Sequence, residues 1–189
     1  FKIDLADAVE ANGQIKSDID ISPLAMGGLT NGVTTRQMAQ AYSTFPSGGV
    51  YTEARTYTKV TQLVDGQEVV LLENEPQQEV AIKETTAYYM NSMLSNVLDS
   101  GTGSGYDLKN MSAAGKTGTT TDNYDRWFVG YTPYYTAAVW TGYPQNEKMS
   151  TSGNPALILW NKVMSQIHDG LENKKFNVPS GLTTVDYCL

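Results

Sequence analysis

The chain has 189 residues, of which 40% are hydrophobic and 17% charged, a composition typical of globular domains rather than disordered segments. Its 13 basic and 20 acidic side chains give a net charge of −7, which argues against a nucleic-acid partner because such proteins concentrate lysine and arginine. The single cysteine, Cys188, excludes a disulfide framework and a thiolate metal cluster within the chain.

The N-terminal residues give few structural signals. The chain starts in mid-pattern at Phe1, without an initiator methionine or a signal sequence, and we infer that residues upstream are missing. From Asp4 to Glu10 the pattern predicts a short helix, which Asn12-Gly13 would end. Between there and Gly28 no period is sustained, so no further element is predicted.

A second helix is predicted to begin at Thr35. Thr34 and Gln37 have the spacing of a capping box, in which each side chain bonds the backbone N–H of the other residue. Gly48-Gly49 should stop this segment. Its apolar residues recur at helical spacing and predict a core stripe of Met38, Tyr42 and Phe45.

A surface hairpin and a third helix are predicted next. Residues 55–72 are rich in threonine, tyrosine and valine, and Asp65-Gly66 in their middle is a two-residue hairpin signal. A helix should then run from about Thr86 to Leu98, and Gly101 punctuates its end. Its shared apolar face would consist of Met90, Leu94, Val97 and Leu98.

The C-terminal half predicts a three-stranded meander over residues 112–143 and a last helix over residues 155–169. The strands are expected at about 112–120, 126–132 and 135–143, paired antiparallel. Asn154 has the position of an N-cap, and Pro155 that of the first helical residue. The buried face of this helix would comprise Leu157, Trp160, Val163, Met164 and Ile167.

The segment Gly115-Lys116-Thr117-Gly118 carries the clearest chemistry. The segment combines a lysine side chain, a threonine hydroxyl and a backbone N–H that the neighbouring glycine leaves accessible. These three groups are suited to bind the carboxylate at the end of a peptide. A phosphate loop is disfavoured because Asn110 stands where its first glycine is required, and a dinucleotide fingerprint because Tyr106 stands where its third glycine belongs. The remaining alternative is an ordinary solvent-facing lysine.

Several further segments matter for their order and spacing. They are Leu24-Ala25-Met26-Gly27-Gly28, Gly32-Val33-Thr34, Met38-Ala39-Gln40-Ala41-Tyr42, Gly101-Thr102-Gly103, Ala114-Gly115-Lys116-Thr117-Gly118-Thr119-Thr120, Trp127-Phe128-Val129-Gly130-Tyr131-Thr132-Pro133 and Val139-Trp140-Thr141-Gly142-Tyr143. Together they span residues 24–143, and in this order and spacing they resemble the C-terminal part of the transpeptidase domain of penicillin-binding proteins, most closely the bifunctional class A members.

The resemblance implies roles for the lysine strand. Lys116 and Thr117 would hold the terminal carboxylate of the substrate, and Gly118 would let a peptide approach the strand closely. The backbone N–H of Thr119 would supply half of the oxyanion hole, which makes Thr119 a catalytic residue together with Lys116. The rim of the same site would include Thr120 and Thr121.

The motifs that supply the nucleophile in this family are missing from the sequence. No serine is followed by lysine three residues later, and the only Ser-x-Asn, Ser152-Gly153-Asn154, lies downstream and is interpreted as a helix cap. The only histidine, His168, has no histidine partner, which argues against a metal site or a Ser-His-Asp triad. We interpret the charged residues after the motif as turn and rim charges: Asp122, Asp125 and Arg126.

The sequence thus predicts an α+β fold, an antiparallel sheet flanked by helices, forming the C-terminal portion of a transpeptidase domain. The resemblance implies serine acyl transfer from D-Ala-D-Ala stem peptides, peptidoglycan cross-linking, β-lactam binding and a location on the outer face of a bacterial cell membrane. No metal or organic cofactor is implied, and the chain alone should be inactive. The alternatives are a non-catalytic module that binds stem peptides or a protein, and a β-lactam-hydrolysing relative.

The rest of the domain is itself an expected partner. Without the first strands of such a sheet, the strand at 135–143 would have an unpaired edge. Such edges attract further strands, so we expect a swapped dimer, an added chain or marginal stability. Whether a glycosyltransferase domain belongs to the same protein is left open by the sequence.

Overall fold

A computed structural model describes residues 1–185, so Cys188 lies outside the described residues. Within these residues, no helix combines the length and the apolar character of a membrane span. Residues 1–185 form the α-helices α1 (Ile21–Met26), α2 (Thr35–Tyr42), α3 (Glu84–Asp99) and α4 (Pro155–Ile167). The strands of the same part of the chain are β1 (Val9–Ala11), β2 (Gln14–Lys16), β3 (Val50–Thr52), β4 (Lys59–Val64), β5 (Gln67–Glu73), β6 (Gln78–Val80), β7 (Ala114–Thr119), β8 (Asp125–Tyr131) and β9 (Thr136–Gly142).

The central element is an antiparallel three-stranded sheet with the order β7-β8-β9. β7 pairs with β8 from Ala114 opposite Tyr131 to Thr119 opposite Arg126. The turn between β8 and β9 is closed by the N–H of Thr132, which donates to the carbonyl of Tyr135 at 2.9 Å. The predicted α+β class is therefore confirmed, with a meander in the predicted region.

Helices cover both faces of this sheet. Successive side chains of a strand point to opposite sides, so one strand can contribute to the core on each face. Phe128 packs with Trp160 of α4 in one buried cluster, while Tyr131, three residues further along β8, packs in the other. The second cluster includes Phe45 and, from α3, Leu94. The meander is thus the centre of a helix-sheet-helix sandwich.

The capping signals of two helices are present in the structure. At the start of α2, the hydroxyl of Thr34 accepts the N–H of Gln37 at 3.1 Å, and the side chain of Gln37 accepts the N–H of Thr34 at 2.9 Å. α2 ends at Tyr42, and turns follow up to Gly48-Gly49. The predicted start at Thr35 is therefore confirmed, whereas the helix ends earlier than Gly48-Gly49.

At the start of α4, the side chain of Asn154 accepts the N–H groups of Ala156 and Leu157 at 3.0 and 3.2 Å. The predicted face of this helix is only partly correct. Leu157, Trp160 and Met164 are buried, but Val163 and Ile167 are 45% and 46% exposed. The sheet covers a narrower stripe than the apolar pattern suggested, so these two side chains project beyond it.

The predicted helix from Asp4 to Glu10 is wrong. The end of this segment belongs to β1, and Asn12-Gly13 forms the turn between β1 and β2, which pair with Val9 opposite Lys16. Asn12 and Gly13 have φ of 55° and 74°, as a type I′ hairpin turn requires, so the pair connects two strands instead of ending a helix.

The hairpin of β4 and β5 lies in the predicted region, with Asp65-Gly66 at its turn. All residues of both strands are exposed, including Leu63 at 76%. A separate short pair is formed by β3 and β6. The hairpin is therefore a surface appendage, whereas the meander holds the candidate site.

Candidate functional site

β7 carries the lysine motif at an edge of the meander. In this sheet β8 lies on one side of β7 and, among residues 1–185, no strand lies on the other. The first residues of β7, Ala114 and Gly115, are buried, whereas Lys116 and Thr119 are exposed. The strand thus leaves the core near its middle, and the motif lies where it becomes accessible.

The hydrogen-bond pattern shows which backbone groups of β7 face the free edge. The N–H of Thr120 donates to the carbonyl of Asp125 at 3.2 Å, so this pair is hydrogen bonded across the two strands. In an antiparallel ladder such pairs alternate with pairs whose N–H and C=O groups point away from each other. The backbone groups of Thr117 and Thr119 therefore point outward, towards the open side of the sheet.

The side chains of Lys116 and Thr117 are held by neighbouring polar groups. The amine of Lys116 donates to the carbonyl oxygen of Thr117 at 2.9 Å, on the open side of the strand. The hydroxyl of Thr117 lies 2.8 Å from that of Thr102, in the loop after α3. The glycine-rich loop thus reaches the lysine strand, and it brings a second hydroxyl to the candidate site.

Gly118 lies opposite Trp127 of β8. A Cβ added to Gly118 would lie 3.0 Å from the Cβ of Trp127, a contact tighter than most real side chains make. The absence of a side chain therefore also serves the packing of the two strands.

The end of β7 continues into a tight turn. Thr120 and Thr121 are exposed, and the turn includes Asp122 and Asn123 with φ of 58° and 61°, in the left-handed region that aspartate and asparagine tolerate. The carboxylate of Asp125 accepts the hydroxyl of Thr120 at 3.0 Å. The two threonines that we predicted at the rim thus follow Thr119 directly, and the hydroxyl of Thr120 is held by the carboxylate of Asp125.

Arg126 brings a second cation close to the motif. Its guanidinium donates to the hydroxyl of Thr119 at 3.1 Å, while its Nε is buried without a hydrogen-bond partner among residues 1–185. Within the same residues, neither Lys116 nor Arg126 forms an ion pair. Two cations that have no ion-pair partner among residues 1–185 make this edge a favourable place for an anion, although Asp122 and Asp125 lie in the neighbouring turn.

A buried polar pair supports the other end of the strand. Tyr131, which faces Ala114, donates its hydroxyl to the side-chain oxygen of Asn91 in α3 at 2.8 Å. The amide of Asn91 donates in turn to the carbonyl of Phe45 at 3.2 Å. Burial, with a smaller contribution from Tyr42, raises the pKa of Tyr131 well above its ordinary value, so its hydroxyl stays protonated.

His168 lies away from β7 and links α4 to the turn between β8 and β9. One ring nitrogen contacts the carbonyl of Met164 at 2.7 Å, and the other the hydroxyl of Thr132 at 2.8 Å. It borders a cavity of about 440 Å³ that contains no residue of β7. In the part of the chain that the structure describes, no group of three or more histidine, cysteine or acidic side chains could hold a metal ion.

The sequence did not identify every residue that shapes this edge. The sequence singles out Thr102 only within the matching segment Gly101-Thr102-Gly103, and Asp125 only as a turn and rim charge. Trp140, whose indole N–H donates to the carboxylate of Asp125 at 2.8 Å, was assigned to a strand without a role. The contact of Thr102 depends on how the loop after α3 packs on β7, and that between Asp125 and Trp140 on how β8 and β9 align; no local pattern encodes either.

Comparison with known proteins gives consistent results. The family model of the penicillin-binding protein transpeptidase domain matches residues 2–165. Penicillin-binding protein 1A of Clostridium acetobutylicum is 39% identical over 166 residues, which cover 87% of this chain and 20% of that protein. Penicillin-binding protein 4 of Bacillus subtilis is 37% identical over 140 residues, 73% of this chain and 22% of that protein.

Solved structures share the fold. Penicillin-binding protein 1A from Haemophilus influenzae superposes with a TM-score of 0.67 at 18% identity, over 78% of this chain and 28% of that one. Penicillin-binding protein A from M. tuberculosis, in an imipenem acyl-enzyme complex, gives 0.60 at 15% identity, over 82% and 38%. The chain spans about a fifth of the length of the curated relatives it matches. On the family model and these relatives, the chain belongs to the transpeptidase domain family of penicillin-binding proteins.

Proposed function

We propose that this chain supplies the carboxylate-binding side of the active site of a peptidoglycan D,D-transpeptidase. The observation that carries the proposal is the open edge of β7, where the outward backbone groups of Thr117 and Thr119 lie beside the amine of Lys116. An exposed edge of this kind can accept an extended peptide as an additional strand. A cation and hydroxyls at the same edge favour a peptide that ends in a carboxylate.

In the proposed complex, a stem peptide ending in D-Ala-D-Ala lies along β7. The amine of Lys116 exchanges its bond to the Thr117 carbonyl for a charge-assisted bond to the terminal carboxylate, and the hydroxyl of Thr117 donates to the same group. Gly118 leaves room for the peptide backbone. The N–H of Thr119 then faces the carbonyl between the two D-alanines, where a tetrahedral intermediate would carry negative charge.

The proposed reaction is acyl transfer through a serine that residues 1–189 do not supply in a Ser-x-x-Lys motif. The serine oxygen attacks the penultimate D-Ala carbonyl and loses its proton to a base, and the bond to the terminal D-Ala breaks as that residue takes up a proton. An amine of a second stem peptide then attacks the acyl-serine, which forms the cross-link and restores the serine. The second donor of the oxyanion hole would come from the same part of the domain as that serine.

β-Lactams are proposed as ligands of the same edge. The M. tuberculosis neighbour is described as an imipenem acyl-enzyme complex, and it shares the fold of this chain. A carboxylate beside a reactive acyl group is common to such drugs and to the peptide terminus, so one cation can serve both. The setting that fits this chemistry is the outer face of a bacterial cytoplasmic membrane, where peptidoglycan is assembled.

The proposal also assigns a partner to the far side of the meander. Among residues 1–185, β9 has no strand beyond it, so its outer edge can accept one. We propose that the rest of the transpeptidase domain fills this place. A second copy in a swapped dimer would fill it when that part is absent.

A non-catalytic binding module is the second candidate. It is favoured by one observation, the absence of Ser-x-x-Lys and of an upstream Ser-x-Asn from the 189 residues. Such a module would still bind a stem peptide or a protein tail along β7, and it would release this ligand unchanged.

Calorimetry with an acetylated peptide that ends in D-Ala-D-Ala tests the proposed grip. We expect saturable binding, which is lost when the terminal carboxylate is replaced by an amide. Lys116→Met should weaken binding by about tenfold or more, because a charge-assisted hydrogen bond is lost, whereas Lys109→Met on an exposed loop should leave it unchanged. Equal affinity for the acid and the amide peptide would contradict the proposal.

Exposure to a fluorescent penicillin separates the two candidates. We expect no covalent label on residues 1–189 alone and a label on a protein that also contains the Ser-x-x-Lys segment. Labelling that fails in the longer protein while peptide binding persists would favour the non-catalytic module.

A further inference from the structure

Asp125 lies at the start of β8, directly across the turn from Thr120. One carboxylate oxygen accepts the hydroxyl of Thr120 at 3.0 Å, and the other accepts the indole N–H of Trp140 at 2.8 Å. A single side chain thus joins the end of β7 to β9, across the full width of the meander. Neither contact is needed to bind an anion, so the carboxylate needs another explanation.

The contacts between Asp125 and Thr120 are reciprocal. The N–H of Asp125 donates to the hydroxyl of Thr120 at 2.8 Å, and the N–H of Thr120 donates to the carbonyl of Asp125 at 3.2 Å. Together with the bond between hydroxyl and carboxylate, three hydrogen bonds connect these two residues. They close a turn that contains two non-glycine residues with left-handed φ, a conformation that needs such support.

The reach of Trp140 depends on Gly142. A Cβ at Gly142 would lie 2.6 Å from Cζ2 of Trp140 and 3.1 Å from the carboxylate of Asp125. The indole of Trp140 therefore packs against Gly142, where a side chain would clash with it. In this place its N–H donates to the carboxylate of Asp125. We call Asp125, Thr120 and Trp140 the aspartate clamp.

We propose that Asp125 is a positioning residue, whose clamp fixes Thr120 and thereby the direction of the neighbouring Thr119 N–H at the free edge of β7. This inference rests on the proposed function, because only an acceptor bound at that edge would use the direction of this N–H. A donor of an oxyanion hole is effective when it is already aligned before charge develops, so the clamp supplies preorganisation rather than a contact with substrate.

Hydrogen exchange measured by NMR on the free chain tests the clamp without any ligand. The backbone bond from the N–H of residue 120 to the carbonyl of residue 125 remains possible in Asp125→Ala, but the carboxylate bonds that hold the turn closed around it are lost. Exchange of the amide of residue 120 should therefore become about tenfold faster, and Thr120→Val, which removes the hydroxyl bonds of the same turn, should do the same. Asp122→Asn is the matched control, because it removes a negative charge from the same turn and keeps a residue type that tolerates its φ of 58°. The control should match the wild type.

The affinity for the D-Ala-D-Ala peptide tests the positioning role. Asp125→Ala should bind it about tenfold more weakly than Asp122→Asn does. Asp125→Asn should recover most of the affinity, because its amide keeps an acceptor for Trp140 and a donor for the hydroxyl of Thr120. A ligand-induced shift of the Thr119 amide resonance should shrink in Asp125→Ala and return in Asp125→Asn.

The two hypotheses fail in different ways. If the wild-type chain does not bind the peptide, the proposed function is overturned. If it binds, but Asp125→Ala equals Asp122→Asn in exchange and affinity, the positioning role alone is overturned. Equal acceleration of exchange throughout β7, β8 and β9 would also overturn it, since that result would indicate a general loss of sheet stability.

Discussion

The meander and the hairpin of β4 and β5 are both antiparallel, yet their surroundings are opposite. Phe128 in the meander is fully buried, with its ring centroid 4.9 Å from that of Trp160, whereas Leu63 in the hairpin is 76% exposed. Helices cover both faces of the first sheet, while every residue of β4 and β5 in the second is exposed. Because a strand is fixed by what packs on its faces, only the meander can hold side chains in place for binding.

The largest expected effect is the loss of the aromatic contact in the meander. Phe128→Ala should lower the free energy of unfolding by about 3–5 kcal/mol, since it opens a cavity beside Trp160. Leu63→Ala in the hairpin should change it by less than about 0.5 kcal/mol. Urea denaturation followed by circular dichroism measures both, and equal losses would show that the hairpin is packed against something.

A smaller effect is expected at the buried polar pair of the meander. Tyr131→Phe leaves the side-chain oxygen of Asn91 without its donor, which should cost about 1–3 kcal/mol of stability at neutral pH. The matched control is Tyr57→Phe, because the side chain of Tyr57 is 43% exposed. Its change should be close to zero in the same denaturation experiment.

The difference between Tyr131 and phenylalanine should depend on pH in one direction. Burial raises the pKa of Tyr131 in the folded chain, while a tyrosine in the unfolded chain ionises at about pH 10. Its stabilising contribution is therefore complete below about pH 10 and falls as the pH rises further, because only the unfolded state ionises. A stability gap between wild type and Tyr131→Phe that stays constant to higher pH would contradict this assignment.

The smallest effect concerns the attachment of α4 to the sheet. Asn154 caps the helix, and its amide also donates to the carbonyl of Trp127 at 3.0 Å. Asn154→Ala should cost about 1 kcal/mol or slightly more, since an N-cap and a link to β8 are lost together. Asn146→Ala in an exposed loop should be neutral by thermal denaturation, and a neutral Asn154→Ala would show that packing alone holds α4.

Local signals in the sequence were sufficient for much of the fold. The capping pairs at Thr34 and Asn154 predicted where two helices begin, since both depend on residues within one turn. The prediction at Asn12-Gly13 is wrong because the same dipeptide can end a helix or close a hairpin, and three-residue strands are too short to show a period. The short α1 was missed for a similar reason, because its six residues include a proline and bury none of their side chains.

The candidate site could be predicted only in part. Lys116 to Thr119 follow each other in sequence, so one strand is enough to bring them together. Trp140 and Asp125 lie 15 residues apart, and their bond exists only because β8 and β9 align in one register. Contacts that depend on register are invisible to local patterns, so Asp125 was interpreted as an ordinary rim charge.

The most direct test of the central claim is to map, by NMR, the amide shifts that a D-Ala-D-Ala peptide causes in the chain. The expected result is a set of shifts centred on Thr117 and Thr119, whose N–H groups point to the free edge, and the disappearance of these shifts with the amidated peptide. Shifts centred on the exposed hairpin of β4 and β5, or shifts that persist with the amidated peptide, would contradict the claim that the edge of β7 holds a peptide carboxylate.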